Sequence, residues 1–301
     1  MKKTSFIKIP VAVCLLLTGF SQDNTFLTEN LPVNHRIQHT HISGDENNCQ
    51  TILNRMHTAV KNLKTVKYTL VNTERIKGKL LQGTQVIKLN ISPFKCYMYF
   101  YSPSKGAQLL YNHGQNGNKA LYKPSGFPYM TLSLDPYGET MRDKNHHIVT
   151  QAGFEYIADI IRHLHDKYPQ CFTFTESAVW KEKKHYKIEM DNPDFKYYFY
   201  TVKENENLVN IAGKLRISDY MIRENNPQIT TYYDVREGQK IKIPGMYAKK
   251  IICYIDKETH LPVFIKIYDD KGLYEQYEHK NINVNITLKN DDFLIKTFKK
   301  S

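Results

Sequence analysis

Residues 200–244 read YTVKENENLVNIAGKLRISDYMIRENNPQITTYYDVREGQKIKIP, and this stretch decides how the rest of the chain is organised. Apolar and polar residues alternate at its two ends, over 200–202 and 239–243, which predicts two short strands. Asn207 and Ser218 stand where helix N-caps belong, and each precedes apolar residues at helical spacing. The stretch is therefore predicted to form a compact βααβ unit.

These residues resemble a LysM module, a family that binds N-acetylglucosamine-containing glycans such as peptidoglycan. The resemblance rests on YTV at 200–202, on NP at 226–227 and on GQKIKIP at 238–244. The family usually has Gly-Asp-Thr in its first turn, where this chain has Asn-Glu-Asn. Asn tolerates positive φ better than most residues, so the turn is expected to survive. The resemblance implies a shallow glycan groove, and the residues it implies are Asn205, Glu206, Asn207, Leu208, Asn226, Pro227, Gln228 and Ile229.

The sequence on both sides of this unit predicts a single β-rich domain. Helices are expected over 49–63 and 154–168, where apolar residues fall on one face. Short runs of alternating or aromatic residues, separated by turn residues, predict an antiparallel meander. The expected strands cover 66–76, 85–92, 94–101, 108–112, 119–123, 129–134, 171–178 and 185–190, and then 251–255, 263–268 and 273–281. The simplest organisation is one domain in which a hairpin loop, between about 190 and 249, has accepted the small unit.

Two tracts in these flanks resemble an uncharacterised family of exported bacterial proteins in the LolA-like lipoprotein-carrier superfamily. They are ERIKGKL at 74–80 and YIDKETHLP at 254–262, the second followed by DDKG at 269–272. The resemblance implies an α+β fold, a curved antiparallel half-barrel with covering helices, whose concavity holds acyl chains or hydrophobic segments. The implied half-barrel domain is discontinuous, over 47–196 and 246–295, and the LysM module occupies 197–245.

Residues 96–101 are apolar or aromatic on both strand faces, so this strand is expected to be covered on both sides. A lipid-binding concavity and an ordinary closed core both fit that pattern, and parity does not decide which side chains face inward. The candidate cavity residues are Tyr97, Met98, Tyr99, Phe100, Met130 and Leu132.

Residues 1–21 are positively charged, then apolar, then small, which is typical of a cleaved secretory signal and too short for a membrane span. Cys14 is interpreted as part of its apolar region. Residues 22–46 are predicted to be a flexible tether. The expected location is the periplasm, with no transmembrane segment in the mature chain. Four cysteines remain, and both a disulfide and buried free thiols stay open.

The formal net charge of +12 favours anionic partners, and export argues against nucleic acid. The sequence contains neither a Gly-x-Ser-x-Gly hydrolase motif nor a His-Glu-x-x-His zinc-protease motif, and no catalytic residue, metal ligand or cofactor is expected. Asp135, Asp256, Asp269 and Asp270 stand at strand ends, where Asp usually sets a turn. The sequence predicts an exported binding protein that holds peptidoglycan glycan and an acyl chain, lipid or lipoprotein segment. The alternatives are a structural envelope scaffold without a cavity and a wall-modifying enzyme.

Overall fold

The computed structural model describes residues 48–127 and 129–300. The predicted signal peptide, Cys14 and the predicted tether lie outside the described residues, so those predictions stay untested. In chain order the elements are α1 Cys49–Lys61, β1 Thr65–Ile76, β2 Lys79–Asn90, β3 Lys95–Ser102, β4 Gln108–Asn112, β5 Ala120–Lys123, β6 Leu132–Leu134, α2 Glu139–Arg142, α3 Glu155–Lys167, β7 Phe172–Trp180, β8 Lys183–Asp191, β9 Tyr197–Thr201, α4 Leu208–Leu215, α5 Asp219–Glu224, β10 Lys240–Pro244, β11 Lys250–Asp256, β12 Pro262–Asp269, β13 Gly272–Val284 and α6 Ile295–Lys300.

Eleven of these strands form one antiparallel, unclosed and curved sheet. Its order is β6-β5-β4-β3-β2-β1-β13-β12-β11-β8-β7, so the chain builds one half before the βααβ unit and completes the other half after it. The strands that flank the unit, β8 and β11, pair directly, with Ile251 opposite Met190. The predicted antiparallel meander is thus confirmed, whereas the predicted domain boundaries stay a prediction.

Period-two alternation explains which face of the sheet is covered. We call the face that carries Tyr68, Ile87 and Met98 the inner face. Helices α1 and α3 pack against each other, and their apolar stripes join the inner-face side chains in one core. The helices lie there because each has a single apolar face to bury, for example Ile52 and Met56 in α1.

The outer face of β3, β4 and β5 is covered by the C-terminal segment 288–298. Phe293 and Phe298 of that segment form a second core with Leu110 and Leu121. Tyr97 joins this cluster, with its ring centroid 6.4 Å from that of Phe298. The C-terminal segment therefore explains why β3 carries aromatic residues on its outer face as well as on its inner face.

The segment between β8 and β11 forms the predicted βααβ arrangement, in which β9 and β10 make a separate two-stranded sheet. Asn207 caps α4, because its side chain accepts a hydrogen bond from the Asn210 N–H, and Ser218 caps α5 in the same way. Asn205 has a φ of 61°, as the turn requires. The unit also has buried apolar residues of its own, including Leu208, Ile211, Met221 and Ile241.

The four cysteines of the described chain, Cys49, Cys96, Cys171 and Cys253, are free thiols. Cys96 and Cys253 are fully buried on strands, and burial raises the pKa of the Cys253 thiol to about 12. Among the helices described, none combines the length and the hydropathy that a membrane span requires.

Candidate functional site

A cavity of about 130 Å³ lies between the inner face of the sheet and residues 136–157, which we call the cover. The cover contains α2 and the first residues of α3. The apolar wall includes four sheet residues and two cover residues: Leu70, Ile87, Met98, Phe100, Met141 and Phe154. Because the wall is largely hydrocarbon, this inner cavity suits an apolar chain.

A groove of about 660 Å³ continues from the inner cavity toward one end of the sheet. The two spaces share wall residues, among them Phe100, Leu109 and Met141. The groove then passes Leu81, Leu132 and the connection after β3, where Ser102 and Ser104 line it. Cavity and groove are therefore neighbouring spaces on the inner face of the sheet.

The six cavity candidates divide between the two faces of the sheet. Met98 and Phe100 line the inner cavity and Leu132 lines the groove. Tyr97 and Tyr99 lie on the opposite face, because side chains alternate along β3. Met130 lies at neither space and is exposed. The predicted strand 129–134 begins only at Leu132, because β6 pairs with just three residues of the short β5.

One end of the inner cavity is polar, and its polarity begins with two buried carboxylates. Glu74 on β1 and Glu275 on β13 are directly opposite each other in the sheet. Like charges at such positions repel, so this pair requires compensation. The compensation comes from the cover. His146 Nδ1 lies 2.8 Å from Glu275 Oε1, and His147 Nε2 lies 3.3 Å from the same oxygen.

Further hydrogen bonds complete this charged cluster, which we define as Glu74, Glu275, His146 and His147. The His146 N–H donates to Glu74 Oε2 over 2.8 Å, and the Tyr277 hydroxyl donates to Glu74 Oε1 over 2.9 Å. The Tyr247 hydroxyl donates to Glu275 at 3.1 and 3.2 Å. Glu74, His147 and Tyr277 also line the inner cavity. The charged cluster therefore both fixes the cover and forms a polar end to the lumen.

Two pKa shifts follow from this arrangement. Burial would raise the pKa of Glu275, but the charge of His147 and the hydrogen bonds from both histidines hold it at about 2. Burial would lower the pKa of His147, but the Glu275 charge and hydrogen bond, with smaller contributions from Glu74 and Asp219, raise it to about 9. The pair is therefore a carboxylate facing an imidazolium at neutral pH.

The cover is also tied to the βααβ unit. Arg142 of the cover is almost completely buried, donates to Asp219 over 2.7 Å and lies over the Tyr232 ring, 3.4 Å from its centroid. The His146 ring stacks at 4.2 Å on both Tyr220 and Tyr274. The βααβ unit therefore helps to fix the segment that closes the cavity.

A second buried ion network joins the unit to the sheet. Arg75 on β1 donates to both carboxylate oxygens of Asp269 and to both of Glu224 on α5. Nearby, the Ser218 and Tyr274 hydroxyls lie 2.7 Å apart. The interface between unit and sheet is thus polar and hydrogen-bonded.

The predicted glycan-binding residues differ in their environments: some are buried, some set a turn or cap a helix, and some are exposed. Leu208 and Ile229 are buried in the core of the unit. Asn226 is buried as well, and its amide bonds the backbone of Ile222 and Lys242. Glu206 accepts from the Tyr200 hydroxyl and the Lys203 N–H, which sets the turn, and Asn207 is the cap of α4. Asn205, Pro227 and Gln228 are exposed.

The predicted turn-setting role of three carboxylates is confirmed. Asp135 accepts from the Tyr137 N–H, Asp256 from the Thr259 N–H and Asp269 from the Lys271 N–H. Asp270 instead accepts from the Tyr197 hydroxyl over 2.9 Å. In the described chain, no three His, Cys, Asp or Glu side chains converge as metal ligands would.

Sequence reasoning missed the charged cluster. His146 and His147 fall in a loop without periodicity, and Glu275 stands in a strand that looks half-exposed in the sequence. Their partners are 72 and 129 residues away along the chain. The one available signal was a Glu on the same strand face as large side chains, namely Glu74 with Tyr68 and Leu70 on β1, and Glu275 with Leu273 and Tyr277 on β13.

Comparison with known proteins identifies similarities at two levels. Three solved structures with similar topology are a DUF1329 family protein from Desulfovibrio piger, lipoprotein LppX from Mycobacterium tuberculosis and LprF from Mycobacterium bovis. Their sequence identities are 9, 11 and 12%, and their TM-scores are 0.35, 0.37 and 0.40. The alignments cover 81, 80 and 80% of this chain and 95, 100 and 95% of those chains.

No curated protein matches the chain. At the level of sequence families, residues 63–204 match a family described as "Protein of unknown function (DUF1571)". The matched region contains the first half of the sheet and the whole cover, and it ends inside the βααβ unit.

Proposed function

We propose that this protein is a binding protein of the cell envelope that holds an acyl chain in its inner cavity. The observation that carries the proposal is the largely apolar inner cavity, which has one polar end and shares Phe100, Leu109 and Met141 with the adjoining groove. A cavity of about 130 Å³ costs a fold roughly 3 kcal/mol when nothing fills it. Each methylene that enters offsets this by about 0.8 kcal/mol.

The composition of the wall favours binding of a chain with a polar end. None of the described residues that line the inner cavity is a Ser, Thr, Cys or Lys, and its Glu74 carboxylate already accepts hydrogen bonds from the His146 N–H and the Tyr277 hydroxyl. His147, Tyr156 and Gln151 stand at the polar end and can donate to an oxygen of a carboxylate or ester.

Native mass spectrometry of the protein purified from a membrane-containing lysate tests this function. Co-purifying acyl species are expected on the wild-type protein. Met98→Trp extends a side chain into the inner cavity and is expected to abolish the adducts. Tyr99→Trp enlarges the next residue of the same strand on the opposite face, so it serves as the matched control and should keep them.

Two results would count against acyl binding. One is a wild-type protein without adducts that also leaves a fluorescent fatty acid unbound in titration. The other is equal adduct loading of the Met98→Trp and Tyr99→Trp variants, provided both have wild-type melting temperatures. Hydrolysis products in place of intact acyl species would favour the enzyme alternative.

The βααβ unit is proposed to be a LysM-like module that binds peptidoglycan glycan weakly. The supporting observations are the βααβ arrangement with its two-stranded sheet, the positive φ of Asn205 in the first turn, and the exposure of Asn205, Pro227 and Gln228. A single shallow groove gives low affinity, which suits tethering more than capture.

Sedimentation with insoluble peptidoglycan tests the glycan proposal. The Asn205→Gly/Gln228→Ala variant should remain in the supernatant, since Gly accepts the positive φ and only side-chain contacts are lost. Glu237→Gln, an exposed change elsewhere in the unit, is the control and should sediment with the wild type. Equal recovery of all three proteins would refute this site. We propose the envelope location because residues 1–21 have the composition of a secretory signal, and the mass of the exported protein tests whether this segment is cleaved.

A further inference from the structure

Three chain connections lie at the same end of the sheet. Strands β1 to β6 alternate in direction, so the turns after β1, β3 and β5 must all fall at one end. We call this end the rim. The groove opens there, because Leu81, Ser102 and Leu132 border both the groove and these connections.

Large apolar side chains are exposed at the rim. The connection after β5 carries Phe127, Tyr129 and Met130, whose exposed fractions are 87, 84 and 59%. The two rings contact each other, with centroids 6.4 Å apart. Leu80 and Leu81, next to the turn after β1, add two further exposed apolar side chains. Such a cluster on one end is more than a soluble surface ordinarily shows.

Basic residues flank the apolar cluster. Lys79, Lys105 and Lys123 belong to the three rim connections or to the strand ends beside them. They make no ion pair among the residues that the structure describes. The nearby acid Asp143 is already paired, at 2.6 Å, with Lys77. The rim therefore presents an apolar cluster inside an uncompensated positive border.

We propose that the rim docks on the surface of an anionic lipid bilayer, with Phe127, Tyr129 and Met130 inserted at the headgroup level. Aromatic side chains favour that depth, and lysines beside them bind the anionic headgroups. A second copy of this chain fits less well, because a symmetric contact through the rim would bring the unpaired lysines of both copies together.

The position of the βααβ unit leaves this contact possible. The unit emerges at the same end of the sheet but is bonded to β1, β12 and β13, through Arg75, Asp269 and Tyr274. The turn after β1 contacts the unit, since the Lys77 N–H donates to the Tyr220 hydroxyl, but the β5–β6 connection with its exposed rings is four strand spacings from β1, or about 19 Å along the sheet. A docked rim also turns the groove toward the bilayer, which is the source of acyl chains for the inner cavity.

Flotation with vesicles of phosphatidylglycerol and phosphatidylethanolamine tests the proposal. The protein used is the exported form, identified by its intact mass. The wild type should float with the vesicles, and Phe127→Ser/Tyr129→Ser should weaken binding by about tenfold or more. Phe199→Ser/Val179→Ser removes two equally exposed apolar side chains elsewhere and should bind as the wild type does. Lys79→Gln/Lys105→Gln should weaken binding by about fivefold for each lysine, and vesicles without phosphatidylglycerol should bind poorly.

Vesicle binding does not depend on the ligand of the inner cavity, so Met98→Trp should float as the wild type does even if it takes up no acyl chain. The proposal is overturned if the wild type stays with the protein fraction, or if the rim and control variants float equally. It is also overturned if the rim change abolishes a dimer in sedimentation velocity while vesicle binding is unchanged.

Discussion

The substitution Glu275→Gln tests most directly whether the Glu275 carboxylate and the His147 imidazolium form a buried ion pair under the cover. The Glu275 carboxylate is completely buried and faces both His146 and His147. Gln keeps the size and an acceptor oxygen but removes the negative charge. We expect the variant to fold, to lose stability, and to lose most of the pH dependence that His147 now provides.

The magnitude follows from the shifted pKa of His147. A rise from 6.5 to about 9 corresponds to about 3 kcal/mol of interaction that favours the charged imidazole in the folded protein. Because the folded-state pKa is the higher one, this stabilisation is fully present below pH 6.5 and is lost as the pH rises through about 9. For a domain of this size, about 3 kcal/mol corresponds to roughly 6–12 °C in melting temperature.

Other titrating groups act outside this pH window. Burial lowers the pKa of His279 to about 3, so its contribution is lost only as the pH falls below 6.5. Burial raises the pKa of the Cys49 thiol to about 11, so its contribution declines only above about pH 9. Between pH 6.5 and 8.5 the slope therefore reports chiefly on His147.

Differential scanning calorimetry from pH 6 to about pH 9 measures this slope. The wild type should lose melting temperature with rising pH, and Glu275→Gln should start lower and change by less than half as much. Asp143→Asn removes an exposed pair with Lys77 in the same cover, worth less than about 1 kcal/mol, and should keep the wild-type slope. An equal slope in Glu275→Gln and the wild type would refute the assigned pairing.

Two further changes test the attachment and the capping of the βααβ unit. Arg75→Met leaves the buried carboxylate of Asp269 without its cation and Glu224 with Lys271 alone, so urea unfolding should show a loss of about 3–5 kcal/mol; a loss below 1 kcal/mol would contradict the network. Asn207→Ala removes the cap of α4 that bonds the Asn210 N–H and should cost about 1 kcal/mol in the same assay; an unchanged midpoint would show that the cap is not formed in solution.

Much of the sheet could be predicted because the alternation of apolar and polar residues along each strand marks both the strand and its buried face. β4 begins and ends where the pattern placed it, at Gln108 and Asn112, and β12 differs from prediction by one residue at each end. The pairing of β8 with β11 across the intervening unit was predictable for the same reason. Both strands alternate buried and exposed residues, as neighbours in a sheet with one covered face must.

The site was less accessible to sequence reasoning, because its parts meet only through the register of distant strands. Met98 and Phe100 could be named as candidates, yet nothing local distinguishes them from Tyr97 and Tyr99. The C-terminal segment settles which side they face, by covering Tyr97 on the outer face. The charged cluster needs three remote segments at once, namely β1, β13 and the cover, so neither spacing nor composition could reveal it.

The central claim is that the space between sheet and cover accepts an acyl chain, and methyl NMR of ¹³C-methionine-labelled protein tests it most directly. Met98 and Met141 face each other across the inner cavity, whereas Met56 and Met190 are buried in the surrounding core. Titration with a fatty acid should shift the Met98 and Met141 methyl signals in a saturable way and leave those of Met56 and Met190 nearly unchanged. Methyl signals that all stay fixed, or that shift only at exposed Met130, would contradict the claim.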